Sequence, residues 1–130
     1  MRLWKLAPVA ALAALAAAAA SAPRQETVAV DIVIGKSIAD RMPVDTGSTF
    51  PADVGSLVCW TKITGAANMK ISHVWTHGPH SAAVDLNIGG SPWRTYSRRT
   101  IPSDWTGEWK VEVKDSAGTV LATKTFTVGQ

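Results

Sequence analysis

Cysteine is almost absent from this chain of 130 residues, which contains Cys59 alone. A single thiol excludes an internal disulfide and any zinc site that needs two cysteine ligands. The chain is also too short for a (β/α)₈ barrel enzyme or for a doubly wound nucleotide-binding fold with two halves. One small domain is therefore the expected organisation.

A strong excess of positive charge is missing as well. The 13 basic and 10 acidic residues give a net charge of +3, but Arg2 and Lys5 lie in a segment that we expect to be removed. Subtracting these two leaves 11 basic against 10 acidic residues, a net charge of +1. Such a balance is not the footprint of a nucleic-acid-binding protein, so we expect no nucleic-acid partner.

The N-terminus has the three parts of a secretory signal peptide. Residues 1–5 are short and positively charged, and residues 6–20 are uncharged and rich in alanine and leucine. Ala20-Ser21-Ala22 then supplies the small residues that a signal peptidase needs. The apolar stretch is shorter than the roughly 20 strongly apolar residues of a membrane-spanning helix. We therefore predict a signal helix that directs export.

Two cleavage positions remain open. Cleavage after Ala22 gives a signal peptide over 1–22 and a mature domain over 23–130, but it leaves Pro23 in an unfavourable position after the cleaved bond. Cleavage after Ala20 is the alternative. Either way, the protein is expected in the periplasm or outside a bacterial cell, and at a membrane only if the signal peptide stays uncleaved.

The rest of the chain has the pattern of strands and turns. Residues 28–34 alternate with the period of a half-buried strand. Residues 38–43 predict a short strand that Pro43 ends, and residues 44–55 predict a loop rich in turn-forming residues. Further strands are predicted in four segments: Leu57–Thr64, Lys70–His77, Ala82–Ile88 and Trp93–Ile101.

The C-terminal third predicts a hairpin, and the hairpin completes an all-β pattern. Residues 109–113 alternate apolar and charged side chains, residues 115–118 form a turn that contains glycine, and residues 119–128 return as a strand. No segment of 23–130 combines helical periodicity with helix caps. Seven or eight short strands, spaced about 8–12 residues apart, are typical of an antiparallel immunoglobulin-like β-sandwich.

Alternation along the strands also predicts the core. Trp109 shares a face with Val111 and Val113, so we expect its ring between the sheets. Trp75 is placed in the core by the same argument, whereas the side of the sheet that Trp60 occupies is left open. Cys59 is expected to be a buried, inert thiol.

Five segments carry a family resemblance: DRMPV (40–44), VCWTKI (58–63), HVWxHG (73–78), GGSPWRTYS (89–97) and WTGEWKVEV (105–113). In this order they resemble the bacterial domain of unknown function DUF2914, over roughly residues 28–128. The resemblance implies a small exported β-sandwich, alone or attached to membrane segments. It implies no activity.

Exposed aromatic and basic side chains are the candidates for ligand binding. Trp93 and Trp105 lie at loop-to-strand junctions, and an exposed ring there stacks on a sugar or anchors a protein partner. Arg94, Tyr96 and Arg98 share one strand face and suit a carboxylate or phosphate. The alternative is a solvated strand face with charges that guard a sheet edge.

The residues before Trp93 add to this hypothesis. Pro92 fixes its own φ and is expected to hold Trp93 at the start of its strand. Gly89-Gly90 lack side chains, so we expect this loop to approach a ligand closely.

The three histidines lie within eight residues, at 73, 77 and 80. On a strand, the first two are roughly 13 Å apart, too far to share one ion. His77 and His80 approach one another across a turn, and Asp85 adds an oxygen from the paired strand, which makes these three a candidate metal site. Surface and turn histidines are the alternative, with one of the three held in the core.

No catalytic constellation is evident. The carboxylates show no spacing suited to acid–base work, and no serine has a nucleophile-elbow context. We therefore expect no enzyme activity and no cofactor. The prediction is an exported binding module for an envelope glycan or envelope protein. The alternatives are an assembly domain that pairs through sheet edges, such as residues 28–34, and a histidine-based metal-binding module.

Overall fold

We describe the fold from a computed structural model, which covers residues 27–129. The predicted signal helix over 1–22 and the predicted domain start at Pro23 lie outside these residues. Within 27–129 there are strands and turns and no helix, so no membrane-spanning helix occurs there. The all-β prediction is confirmed. The ten strands are β1 (Ala29–Gly35), β2 (Ser37–Ala39), β3 (Met42–Val44), β4 (Thr49–Phe50), β5 (Gly55–Thr64), β6 (Lys70–His77), β7 (His80–Asn87), β8 (Trp93–Ile101), β9 (Gly107–Asp115) and β10 (Val120–Val128).

Two sheets face each other across the core. One has the strand order β1-β5-β8, and the other has the order β4-β10-β9-β6-β7. The strands β6 and β8 begin and end where the sequence pattern predicted. All pairings in these sheets are antiparallel except one, because the short strand β4 runs parallel to β10. The sequence predicted a loop in place of β4, since two residues are too few for alternation to show.

The segment 38–43 is a hairpin, and the prediction of one short strand there was wrong. Strands β2 and β3 pair with each other and turn at Asp40 and Arg41. Both turn residues have positive φ, 52° and 64°, as a type I′ turn requires. Pro43 lies within β3 instead of ending a strand.

Aromatic and aliphatic side chains fill the space between the sheets. Trp109 and Trp75 are each only 1% exposed, which confirms their predicted core positions. Their rings pack against Phe126, at centroid distances of 5.9 and 6.2 Å. Cys59 is also fully buried, as predicted, and burial raises the pKa of its thiol to about 12.

A small polar network lies inside this core. His73 is fully buried, and its ring nitrogens are 3.1 Å from Thr61 Oγ1 and 2.7 Å from Ser97 Oγ. Trp75 Nε1 donates a further hydrogen bond to Ser97 Oγ at 3.0 Å. The neutral imidazole thus donates through one nitrogen and accepts through the other. Burial lowers the pKa of His73 to about 4, which keeps the ring neutral.

Candidate functional site

The outward face of the three-stranded sheet carries the candidate site. Directly opposed residues of an antiparallel pair point to the same side of a sheet. On β5 and β8 the outward pairs are Val58 with Arg98, Trp60 with Tyr96, and Lys62 with Arg94. Arg94, Tyr96 and Arg98 therefore share one surface, as strand alternation predicted. The prediction that Trp93 shares this face was wrong, because Trp93 pairs with the buried Ile63 and adjacent strand residues point to opposite sides.

The hairpin of β2 and β3 covers part of this face. Trp60 Nε1 donates a hydrogen bond to the carbonyl oxygen of Arg41 at 2.9 Å, and the Trp60 side chain is 6% exposed beneath the hairpin. Tyr96, opposite Trp60 on β8, remains 46% exposed. The hairpin thus forms one wall above a partly open aromatic floor.

An open cleft of about 730 Å³ lies between this wall and the start of β8. Trp93 lies at its edge with 39% of its surface exposed, in agreement with the exposure predicted for it. A smaller recess adjoins the cleft and shares three residues with it, Trp60, Pro92 and Arg94. The cleft is lined by Ile38, Arg41, Trp60, Pro92, Trp93, Arg94, Thr95 and Tyr96.

Gly89 lies against the outer edge of the Trp93 ring. A Cβ atom at Gly89 would lie 2.8 Å from Cη2 and 3.0 Å from Cζ3 of Trp93, closer than carbon atoms pack. At Gly90 the nearest ring atom would be 3.6 Å away, an ordinary contact. The missing side chain at Gly89 is thus used by the protein's own tryptophan, whereas the sequence argument assigned that space to a ligand.

Positive charge surrounds the cleft. Arg41 enters from the hairpin turn and Arg94 from β8, while Lys62 and Asp31 lie opposite each other at the adjoining recess. Arg94 Nη1 donates to Met42 Sδ at 3.4 Å. Within residues 27–129 the one ion pair is formed by lysine 110 and glutamate 112, away from this face. The cleft cations are therefore not neutralised by direct contact with a described carboxylate.

Arg98 and Trp105 were predicted to share the ligand site, and the structure places both outside the cleft lining. Arg98 lies on the same face, four residues beyond Arg94. Trp105 follows the far end of β8, and that strand spans roughly 26 Å from Trp93 to Ile101. The ligand-binding residues predicted from the sequence therefore lie in two separate regions of the structure.

Trp105 belongs to a stack of rings that we call the Trp105 cluster: His77, His80, Trp105 and Trp109. The His80 and His77 rings lie nearly parallel to Trp105, at centroid distances of 4.1 and 5.6 Å. Trp109 Nε1 donates to the carbonyl oxygen of Trp105 at 2.9 Å. The guanidinium carbon of Arg99 lies 5.8 Å from the Trp105 centroid, within cation–π range.

The predicted metal ligands do not converge. His77 and His80 are opposite each other on β6 and β7, but Asp85 lies five residues further along β7, roughly 16 Å away, on the other face of the sheet. Asp85 accepts a hydrogen bond from Ser72 Oγ at 2.8 Å, and His77 Nε2 donates to the carbonyl oxygen of Thr106 at 2.7 Å. Within residues 27–129 no three His, Cys, Asp or Glu side chains form a group that fits a metal ion.

Four cleft residues escaped prediction, Ile38, Arg41, Trp60 and Thr95. The turn formed by Asp40 and Arg41 is visible in the sequence only as two polar residues before a proline. Nothing local indicates that the hairpin folds back onto β5, because that contact joins residues 19 positions apart. The sequence held one signal for Trp60: strand alternation places its side chain on the face opposite Cys59, and therefore away from the core.

The pair formed by His73 and Ser97 has the spacing of a catalytic dyad, but it lies inside the core. Ser97 is 4% exposed and His73 is fully buried, and the Ser97 hydroxyl also accepts a hydrogen bond from Trp75. A substrate has no route to this oxygen in the folded domain. The pair therefore belongs to the packing of the sandwich.

Three solved structures that match this chain are larger proteins, and the chain spans less than a third of the length of each. The alkylpurine DNA glycosylase AlkC of Pseudomonas fluorescens, bound to DNA with an abasic site analogue, matches with a TM-score of 0.50 and 11% identity, over 79% of this chain and 30% of that one. The β-glucosidase of Kluyveromyces marxianus matches with a TM-score of 0.42 and 12% identity, over 80% and 14% of the two chains. The Listeria innocua β-glucosidase, in complex with glucose, gives 0.43 and 10%, over 79% and 16%. The first likeness supports the fold alone.

No curated protein matches the chain. A family model does match, over residues 68–128, and its description is "Protein of unknown function (DUF2914)". Three of the five segments that carried the resemblance lie in this range, together with Trp93, Arg94 and Tyr96. The hairpin and Trp60 precede it, so the match is shorter than the span of 28–128 that the motifs predicted. The resemblance to DUF2914 is confirmed for residues 68–128.

Proposed function

We propose that this protein is an exported, non-catalytic binding module, and that the cleft at Trp93 binds a glycan of the cell envelope. The observation that carries the proposal is the pairing of two exposed aromatic side chains, Trp93 and Tyr96, with arginines in one open cleft. Large aromatic side chains in a small domain normally bury their surface in the core. Here the outer edge of the Trp93 ring packs against the backbone at Gly89, and 39% of the residue stays exposed.

A sugar ring suits this arrangement chemically. One face of a pyranose presents C–H groups, which pack against an aromatic ring, and its edge presents hydroxyl groups, which accept hydrogen bonds. Trp93 and Tyr96 supply the ring surfaces, and Arg41 and Arg94 supply donors around them. Binding sites combine apolar walls with a few polar groups in this way.

Export is the second part of the proposal. The charged start, apolar stretch and small residues before Pro23 support delivery across the inner membrane. An immunoglobulin-like sandwich without disulfides suits that environment, because its one thiol, Cys59, is buried and reacts little. The envelope is also where a bacterial protein meets polymeric sugars.

The binding proposal is tested by calorimetry with the purified protein and a panel of envelope oligosaccharides, peptidoglycan fragments included. We expect at least one to bind in the millimolar to micromolar range, and Trp93→Ala and Tyr96→Ala to weaken it about tenfold or more. Val120→Ala is the control, since Val120 is a similarly exposed apolar residue on β10. A panel without binders, or equal affinities in all variants, contradicts the proposal.

Assembly through a sheet edge is a second candidate, favoured by strand β7. This strand runs for eight residues along the edge of the five-stranded sheet, and its sequence has no lysine, arginine or proline to block pairing. The predicted edge at residues 28–34 also lies at a sheet edge, in β1. Light scattering at increasing concentration tests this candidate, with Ala83→Lys on β7 expected to abolish any dimer. A monomer at all concentrations rules it out.

A further inference from the structure

We infer that the ligand of the Trp93 cleft carries a negative charge on its sugar ring, as a carboxylate. This inference rests on the proposed glycan-binding function and names the class of glycan. It comes from the positions of three cations, Arg41, Arg94 and Lys62, around the aromatic floor.

The two arginines reach the cleft from independent elements. Arg94 follows Trp93 on β8, and Arg41 is carried by the hairpin turn whose carbonyl oxygen is held by Trp60. Both arginines therefore line the cleft, and they do so from different backbone segments. Arg94 shares its face of β8 with Tyr96, whereas Trp93 pairs with the buried Ile63 and lies at the end of the cleft, so a ligand that packs on Tyr96 lies next to Arg94.

The local charge balance favours an anion. Lys62 lies opposite Arg94 in the sheet register, and Asp31 is the one carboxylate that lines the cleft or its adjoining recess. Three cations against one anion leave a net charge of +2 at these two cavities. The described carboxylates form no ion pair with these three cations. An excess of positive charge at a cleft raises the local concentration of anions and favours their binding.

The chemistry points to a carboxylate on a ring rather than to a free anion. A guanidinium group binds a carboxylate through two parallel N–H···O bonds, the strongest neutralising contact that a side chain offers. A small inorganic anion would leave the exposed ring of Tyr96 uncovered, and a neutral sugar would leave the arginines unpaired. A uronic acid or another acidic sugar uses both parts of the cleft.

The experiment compares two forms of one ligand. Oligogalacturonate carries a free carboxylate on every ring, and its methyl ester has the same rings with that charge blocked. We expect the purified protein to bind the acid about tenfold or more tightly than the ester. A sulfated oligosaccharide, heparin hexasaccharide, reports binding that depends on charge density alone.

Matched variants distinguish direct contact between an arginine and the ligand from a general attraction of the ligand to positive charge. Arg94→Gln and Arg98→Gln each remove one positive charge from the same face of β8, but only Arg94 lines the cleft. We expect Arg94→Gln and Arg41→Gln to lose most of the preference for the acid over the ester, and Arg98→Gln to keep it. Circular dichroism confirms that each variant is folded.

The outcomes distinguish the two levels of the proposal. Equal affinity for acid and ester, or equal loss in Arg94→Gln and Arg98→Gln, overturns the acidic-sugar inference while binding by the cleft stands. Heparin binding that matches oligogalacturonate and is unchanged in Trp93→Ala also overturns it, because charge alone then explains the affinity. Failure of every sugar, neutral or acidic, overturns the proposed function itself.

Discussion

Trp93 and Trp105 occupy similar positions in the sequence and opposite situations in the structure. Each lies at the junction of a loop and a strand. The ring of Trp105 is stacked on His80 at 4.1 Å, with Arg99 nearby. The ring of Trp93 has its outer edge against Gly89, and the residue is 39% exposed.

The difference lies in what the rest of the chain brings to each ring. The hairpin of β6 and β7 carries two histidines onto Trp105, so that its stacking surface is used within the domain. The loop before Trp93 places Gly89, which has no side chain, next to the Trp93 ring. Exposure near a loop is therefore weak evidence for ligand binding by itself, and the filling of the neighbouring space decides between a structural and a binding role.

We expect the largest loss of stability from a substitution within the Trp105 cluster. We expect Trp109→Ala to lower the free energy of unfolding by about 3–5 kcal/mol, because it opens a cavity where the ring packs on Phe126 and removes the bond to the Trp105 carbonyl oxygen. Trp93→Ala is the matched change at the cleft and is expected to cost about 1 kcal/mol or less. Urea unfolding measures both, and equal losses would contradict the contrast.

We expect acid to lower the free energy of unfolding through His73, which is buried in the core. The unfolded chain binds a proton at His73 with a pKa near 6.5, whereas burial lowers the pKa to about 4 in the folded domain. From pH 6.5 down to 4 the unfolded state therefore binds more protons, and stability falls in that window by about 3 kcal/mol. Above pH 6.5 this contribution is fully present.

NMR titration of the His73 ring checks this assignment directly, since carboxylates elsewhere also affect stability in acid. A ring that titrates near pH 6.5 in the folded protein would contradict it. The fall in stability is followed by urea unfolding at several pH values.

Strand alternation predicted most of the frame, and for a physical reason. The long strands β6, β8 and β9 each place one face on the core, so that period two appears in the sequence of each strand alone. Trp109 and Cys59 could be placed in the core by this rule. The exposure of Trp93 was predicted from the adjacent proline, a local signal as well.

What local patterns missed are the contacts between distant segments. Two residues of β4 show no period, and the β2–β3 hairpin depends on positive φ at Asp40 and Arg41. The cleft wall, the bond from Trp60 to Arg41 and the stacking of His80 on Trp105 join parts of the chain that are 19 and 25 residues apart. The predicted metal site failed for a local reason, because β7 begins at His80 and not at Ala82, so His80 and Asp85 lie on one extended strand with opposite orientation.

We expect a smaller loss of stability from a substitution at Trp60, which holds the hairpin that forms the cleft wall. Trp60→Phe keeps an aromatic ring but removes the hydrogen bond to the Arg41 carbonyl oxygen, at a cost of about 1 kcal/mol. We expect the hairpin to loosen, so that the Lys36 amide, bonded to Val44, exchanges its hydrogen faster. The Asp115 amide in the β9–β10 turn is the control. Unchanged exchange at Lys36 would show that this bond does not hold the wall.

The smallest expected change in stability comes from Gly89→Ala, and it is the most direct test of why Trp93 differs from Trp105. The new methyl group would lie 2.8 Å from the outer edge of the Trp93 ring, which must move aside. Because Trp93 is 39% exposed and lies at the start of its strand, the ring is displaced with little loss of packing, and we expect the free energy of unfolding to change by less than about 1 kcal/mol. The indole Nε1–H resonance of Trp93 is expected to shift in NMR spectra, and sugar binding at the cleft is expected to weaken.

Gly90→Ala is the matched control, since its methyl group lies 3.6 Å from the same ring. If the two variants give the same indole shift and the same affinity, Gly89 does not set the position of Trp93, and the contrast between the two tryptophans needs another cause.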